Sequence, residues 1–458
     1  MPKTIKIGGG QAFYGDTIVP AIEMAQRTPD LNYIGFDCLS ELTLAILQKD
    51  KRRDPSRGFA LDMLALMPRI LPIAKEKGIK LVTNGGGMNP LAAAQAIAAI
   101  ARKAGLHGFK IAVVTGDDIA SRLDELLAKG HTFTNMDTGQ TLIEQTEVRN
   151  RVVNVNAYLG ADTVCRALET GADVVITGRV TDSALFLGPL LYEFDWQPDD
   201  WNTLAQGIVC GHLLECAGQV TGGNFAGGWR DVPNLDNLGY PIANVSADGS
   251  FVLTKTPDSG GLVSFGTVRE QLLYEVLDPH HYLTPDVDAN FTTVRLEDLA
   301  GNQVRVTGAT GLTRPDNLKM CLGYEDGWLG EAQIMYSWPD ALEKAEFANK
   351  LLRQRLARIN FQSLELRTDY IGYNALHGPL APRPAEPNEI ILRVAAHVRD
   401  QSEAEKLFRE LVPLGLNGPP TASGVGSRPR PRELLALWPT LVPRAEVEPR
   451  VKIEVIEV

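Results

Sequence analysis

The chain has 458 residues, a formal net charge of −11 at pH 7, 44% hydrophobic residues and 22% charged residues. That length supports two or three domains, and that balance is the one of an ordinary globular protein. The acidic balance argues against a nucleic-acid partner, which needs clustered Lys and Arg, and no apolar run approaches the roughly 20 residues that span a bilayer. The longest basic run, KDKRRDPSR at Lys49 to Arg57, is broken by aspartates. Five cysteines (Cys38, Cys165, Cys210, Cys216, Cys321) are scattered without a C-x-x-C pair. This fits a reducing cytoplasm rather than a disulfide framework or a thiolate zinc site. The N-terminus runs straight into a strand-like segment, so no secretory signal is expected.

In chain order, TIKIGGG reads as a strand ending in glycines, followed by a helix near Asp16 to Gln26. LNYIGFDCL is a strand and SELTLAILQKD a helix; GIKLVTNGGG is a strand, and Asn89-Pro90 opens an Ala-rich helix. FKIAVVTGDD and DVVITGRVTDS repeat the pattern, while VVNVNAYLG suits a strand at an edge or in a hairpin. Strands alternating with helices imply βαβ units and a mostly parallel sheet over residues 1–195. Residues 196–320 are rich in Gly, Asp, Asn, Pro and Thr, with short β-like runs such as SFVLTKT, TTVRLEDL and NQVRVTGA. They are expected to form a loop-rich, mostly antiparallel β region that completes the site. Residues 321–458 read as two β-α-β halves around the connector HGPLAPRPAEPNE, a ferredoxin-like α+β region. The fold class is α/β.

Ligands of open parallel sheets bind beyond the carboxyl ends of the strands. Here those ends carry GGGQAFYGD, TNGGGMNP, TGDD and TGRVTDS. Gly9, Gly10 and Gly86 either bring backbone N–H groups to a ligand, with Asn84 beside the second loop, or merely make tight strand-to-helix turns; the convergence of several such loops at one sheet edge favours the ligand. The first loop is not a dinucleotide fingerprint, because Phe13 occupies the third glycine position. Acids collect at the same ends: Asp16, Asp37, Glu41, Asp117, Asp118 and Asp182. Asp118 and Asp182 suit helix N-caps. Asp37 follows a run that should be buried and needs a partner, for which Arg179 is the candidate. Substrate binding is therefore assigned to Gly9, Gly10, Asp37, Asn84, Gly86, Asp117, Arg179 and Asp182, with Gly222 and Gly223 below.

The segment GHLLECAGQVTGG, Gly211 to Gly223, places His212, Glu215, Cys216 and Gln219 on one face if it is helical throughout. Such a face supports general acid–base chemistry by His212 and Glu215, or a Cys216 nucleophile paired with His212. It equally suits a His212 bonded to a backbone carbonyl and a Cys216 that packs as a small hydrophobe. The TGGNF that follows offers Gly222, Gly223 and Asn224 as an oxyanion-binding turn. A metal site here lacks ligands, with seven histidines in the chain and no H-E-x-x-H. Lys255 is a candidate phosphate or thioester contact, and Glu270, Gln271, Tyr274, Glu275 and His280-His281 lie in a later helix and its exit.

These segments, with ITGRVTDSALFLGPL, the long run from GYPIANVSADG to HHYLTPDV and the C-terminal RPRPRELLALWPTLVPR, resemble the acyclic terpene utilisation (AtuA) family over nearly the whole chain. The resemblance implies a place in branched-chain or isoprenoid acyl-CoA breakdown, alongside biotin-dependent carboxylases, and a ferredoxin-like C-terminal region. It implies no catalytic residue list. The expected function is a cytoplasmic, homo-oligomeric enzyme acting on an acyl-CoA thioester or branched carboxylate, as a lyase or hydratase. His212 and Glu215 would move protons, with Asn224 at the oxyanion and Cys216 as second candidate. No cofactor is expected, the CoA thioester being substrate. The alternatives are a non-catalytic acyl-CoA-binding protein associated with an acyl-CoA carboxylase, and a metal-dependent enzyme using Asp37, Asp117 or Asp182.

Overall fold

The computed structural model describes residues 3–424 and 429–458; Arg428, which opens the C-terminal motif quoted above, lies outside them. Ten strands make the main sheet: β1 (Thr4–Gln11), β2 (Tyr33–Phe36), β3 (Lys80–Thr83), β4 (Lys110–Thr115), β5 (Val174–Thr177), β6 (Pro241–Ser246), β7 (Phe251–Lys255), β8 (Arg295–Asp298), β9 (Val304–Thr307) and β10 (Lys452–Glu457). Their order is β8-β9-β7-β6-β1-β2-β3-β5-β4-β10. The five central strands, β1-β2-β3-β5-β4, pair in parallel. They carry near-continuous buried runs, as strands covered on both faces must. The flanks are antiparallel, β6 on β1 and β10 on β4.

Two compact units divide the chain differently from three consecutive regions: residues 1–323 with 437–458, and residues 324–436. The stretch 196–320 joins the first unit because β6 to β9 extend the parallel sheet by direct backbone pairing. VKIEVIEV, expected in the C-terminal region, instead pairs with β4 in the first unit. VVNVNAYLG forms the strand Val152–Ala157, which pairs with the long strand Asn317–Ser337 and not with the main sheet. In the second unit, the helices Ala341–Arg358 and Gln401–Leu411 pack on antiparallel strands that include Glu365–Ile371 and Glu389–Val398.

The helix Trp201–Glu215 is buried at every residue from Leu204 to Glu215. A helix apolar nearly all round is a core helix, so its few polar side chains must be partnered or functional. Two glycines seat it. A Cβ on Gly211 would lie 2.7 Å from Ser183 Cα, and a Cβ on Gly9 would lie 2.2 Å from the Leu214 carbonyl oxygen. Gly9 thus sets how closely the C-terminal end of this helix approaches β1. Gly9→Ala is expected to destabilise the protein by about 1–3 kcal/mol, read as a lowered denaturant midpoint, because a backbone oxygen cannot rotate out of the way. An unchanged midpoint would show that the helix end has room to move.

Candidate active site

A cleft of about 880 Å³ opens at the carboxyl ends of the parallel strands. Phe13 and Asp16 follow β1, Asp37 and Glu41 follow β2, and Arg179, Thr181 and Asp182 follow β5. The same cleft is lined by His212, Glu215 and Cys216 from the end of the buried helix, and by Gly223 and Asn224 beyond it. The helix stops at Glu215; Ala217–Gln219 form a tighter turn, so Gln219 leaves the shared face and donates to Gln271 Oε1 at 2.9 Å.

His212 is 1% exposed and both its ring nitrogens are engaged. Nε2 lies 2.9 Å from the Gln271 carbonyl, which only accepts, so Nε2 carries a proton and donates it. Nδ1 lies 2.9 Å from Glu215 Oε1, a contact that needs one further proton between the two atoms. The pair is therefore neutral as a unit, as imidazolium with carboxylate or imidazole with carboxylic acid. Burial opposes a charged imidazole, but the charge and hydrogen bond of Glu215 raise His212 above its usual value. Burial raises the Glu215 carboxyl against the pull of His212, with Asp182 and Glu275 adding to the rise. Glu215 Oε2 is buried and has no hydrogen-bond partner. Tyr282 and Phe291 stand 5.6 and 5.4 Å from the imidazole, ring centre to ring centre, a wall that lowers the local dielectric.

Arg179 is also buried, with its guanidinium 4.2 Å from the Tyr158 ring centre. Its Nη1 donates to Asp182 Oδ1 at 2.6 Å and to the Leu39 carbonyl at 3.2 Å, while its Nε has no partner. Thr181 Oγ1 is likewise buried and unpartnered. Arg179, the candidate partner of Asp37, meets it as a charged partner and not through a hydrogen bond. Asp37 Oδ1 accepts from Asn84 Nδ2 at 2.6 Å and from the Leu39 N–H at 3.2 Å, and Arg179 acts on it through charge alone. Burial and the nearby Asp182 hold the Asp37 carboxyl well above the usual carboxylate range, against Arg179 and Asn84. Glu41 goes the other way. Burial works to raise it, yet Arg179, Lys319 and the Tyr158 hydroxyl bring it down to about 2.

Burial, reinforced by Glu215, pushes the Cys216 thiol up, away from the thiolate a nucleophile needs. The turn after the helix uses its own N–H groups: Gly222 donates to Gln219 O and Gly223 to Gly218 O. Gly9, Gly10, Asn84, Gly86, Asp117 and Gly222 lie outside the cleft lining. The glycines among them are needed for close packing, as at Gly86, where a Cβ would meet the Thr177 carbonyl at 2.5 Å. Asn84 supports Asp37, and Asp117 Oδ2 ties two strand ends together by accepting from the Arg179 N–H and Asn156 Nδ2, both at 2.8 Å. Among the described residues, no group of three or more His, Cys, Asp or Glu side chains is arranged to hold a metal ion, and no helix is long and apolar enough to cross a membrane.

A model of the acyclic terpene utilisation family protein AtuA matches residues 5–453. The chain belongs to this family. No curated relative and no solved structure matches it. Several residues of this AtuA family cleft escaped sequence reasoning. Tyr158 and Lys319 are brought together by the pairing of two distant strands, the Tyr158 N–H donating to the Lys319 carbonyl at 2.9 Å, and no local pattern announces that. Thr181 had a signal, since it sits between Arg179 and Asp182 in a strand-end motif already singled out.

Burial raises Asp117 to about 6, against its hydrogen bonds. Below about pH 4 both folded and unfolded chains hold this proton; from there to about pH 6 only the folded chain does. Stability from this group is therefore lost as pH rises across that window, by about 3 kcal/mol in all. The stability of Asp117→Asn relative to the native chain is expected to climb by that amount between pH 4 and pH 6.5 in denaturant titrations. A difference that is flat with pH would show that Asp117 titrates alike in both states.

Proposed function

We propose that this AtuA family member is an enzyme of acyclic terpene breakdown that moves protons on an acyl thioester or branched carboxylate, as a hydratase or lyase. One observation carries the reading: Glu215, which lines the cleft, has a buried Oε2 without a hydrogen-bond partner while its Oε1 is held by His212. Buried polar atoms are normally partnered, and here Glu215 Oε2, Arg179 Nε and Thr181 Oγ1 all belong to residues lining one cleft. An acyl carbonyl oxygen satisfies the Arg179 and Thr181 donors, and a water or a C–H beside that carbonyl satisfies Glu215.

In the hydration sense, Glu215 Oε2 takes a proton from water as the water oxygen bonds to the β-carbon of an enoyl group. The shared proton shifts toward His212 Nδ1, so the imidazole absorbs the gained charge. Electron density passes to the carbonyl oxygen, where the Arg179 Nε–H and Thr181 hydroxyl stabilise it. The α-carbon then takes a proton from Asp37, whose raised carboxyl suits a proton donor. Solvent returns the Glu215 proton to Asp37, and the reverse sequence eliminates water. His212 acts through Glu215 and is a positioning residue, because its other nitrogen is tied to the Gln271 backbone.

The test is turnover of 3-methyl-branched 2-enoyl thioesters and their free acids, followed by loss of the enoyl absorbance. Glu215→Gln keeps the shape and is expected to lower kcat by about 10²–10⁴-fold. His212→Gln removes the cationic partner that holds Glu215 down, so the acid limb of its pH–rate profile is expected to move to higher pH. Native turnover in Glu215→Gln would sink the reading, and an unshifted profile in His212→Gln would remove His212 from it.

A further inference from the structure

The cleft has a second chemical character that proton transfer does not use. Three large apolar side chains stand out into solvent along it: Leu277 at 101% relative exposure, Leu283 at 66% and Phe13 at 58%. They come from three separate segments, the loop after helix Phe265–Leu273, the short strand Tyr282–Leu283 and the loop after β1. Scattered exposed leucines are ordinary, but three converging on one opening form a patch that needs an occupant. The partly buried Leu238 continues the apolar lining inward, whereas the atoms that lack hydrogen-bond partners lie deeper, on Glu215, Arg179 and Thr181.

We propose that Phe13, Leu277 and Leu283 form a rim that grips the apolar tail of the substrate and sets its preferred chain length, while the reacting end sits at the polar floor. The proposal rests on the functional reading above for which end of the ligand points inward. Its occupant is the hydrocarbon tail, because the rim is continuous with the cleft that holds the unpartnered polar atoms. Phe13 is the side chain that breaks the glycine fingerprint of the first strand end, and the rim gives it a use.

The experiment compares two saturated, unreactive probes by calorimetry, the N-acetylcysteamine thioesters of 3,7-dimethyloctanoic and 3-methylbutanoic acids. With each buried methylene contributing up to about four-fold, the longer probe is expected to bind the native protein at least about ten-fold more tightly. In the Phe13→Ser/Leu277→Ser double variant, that ratio is expected to fall below about three-fold, with the short probe's Kd unchanged. Both side chains are more than half exposed, so the variant should fold normally. An unchanged ratio, or no binding of either probe by the native protein, overturns the proposal. So does a drop in oligomer size in the variant, which would assign the rim to contact between copies of this chain. Because binding alone is read, loss of the ratio alongside full turnover in Glu215→Gln would keep the rim and discard the proton-transfer reading.

Discussion

A single proton shared between His212 Nδ1 and Glu215 Oε1 is the constraint around which the cleft is organised. An isolated carboxylate at this depth costs many kcal/mol in lost hydration, and so does an isolated imidazolium. Held together they form a neutral unit, and removing either leaves the other uncompensated, typically at a cost of about 3–5 kcal/mol. The arrangement is fixed from outside the pair. The Gln271 carbonyl anchors His212 Nε2, and the Gln271 side chain donates back to the His212 carbonyl at 3.1 Å, locking the helix Phe265–Leu273 to the buried helix. Ring orientation and the Nε2 proton are thus set by the Gln271 backbone carbonyl, and within the pair only Glu215 Oε2 is left uncommitted.

The strand ends obey the same logic with more members. Arg179 is buried among Asp37, Glu41, Asp182 and the Tyr158 ring, and its geometry ranks them. Asp182 receives a direct hydrogen bond, Glu41 is drawn down by Arg179 and Lys319 together, and Asp37 is left with an amide and a backbone N–H. Burial works to raise both carboxyls; Arg179, Lys319 and Tyr158 together outweigh it at Glu41, while at Asp37 burial and Asp182 outweigh Arg179, so that Glu41 stays charged and Asp37 resists ionisation. Such divergence between neighbours is what acid–base chemistry requires.

Most of the parallel sheet was legible because its signal is local: short β-rich runs, glycine-rich exits and intervening helical periodicity. His212 and Glu215 were legible for a similar reason, since i and i+3 spacing on a helix puts both on one face whatever the tertiary fold. Long-range pairing was not legible. Nothing in VKIEVIEV announces that it pairs with β4 rather than with the strands of the region before it, and nothing local links Tyr158 to Lys319. The glycine loops show a subtler limit. Gly9 and Gly86 were read as ligand cradles because a missing side chain permits close approach, but the approaching atoms are the Leu214 and Thr177 carbonyl oxygens of the same chain. A sequence records that something comes near a glycine without recording what.

Charge bears on how a thioester substrate would enter. Seven carboxyl side chains line the cleft: Asp16, Asp37, Glu41, Asp182, Glu215, Glu275 and Asp278. At the floor they are compensated, Glu215 by His212, Asp182 and Glu41 by Arg179 and Lys319, with Asp37 resisting ionisation. Glu275 and Asp278 are exposed and give the opening a negative character. A phosphate charge about 10 Å from one such carboxylate is repelled by about 0.4 kcal/mol at the dielectric of water and about 1.7 kcal/mol at an effective dielectric of 20. A polyphosphate handle therefore favours the solvent side of this opening, and the neutral acyl end is the part that fits the floor. On the proposed reading, the acidic mouth disfavours a charged group at the opening and the apolar rim favours an uncharged hydrocarbon chain there.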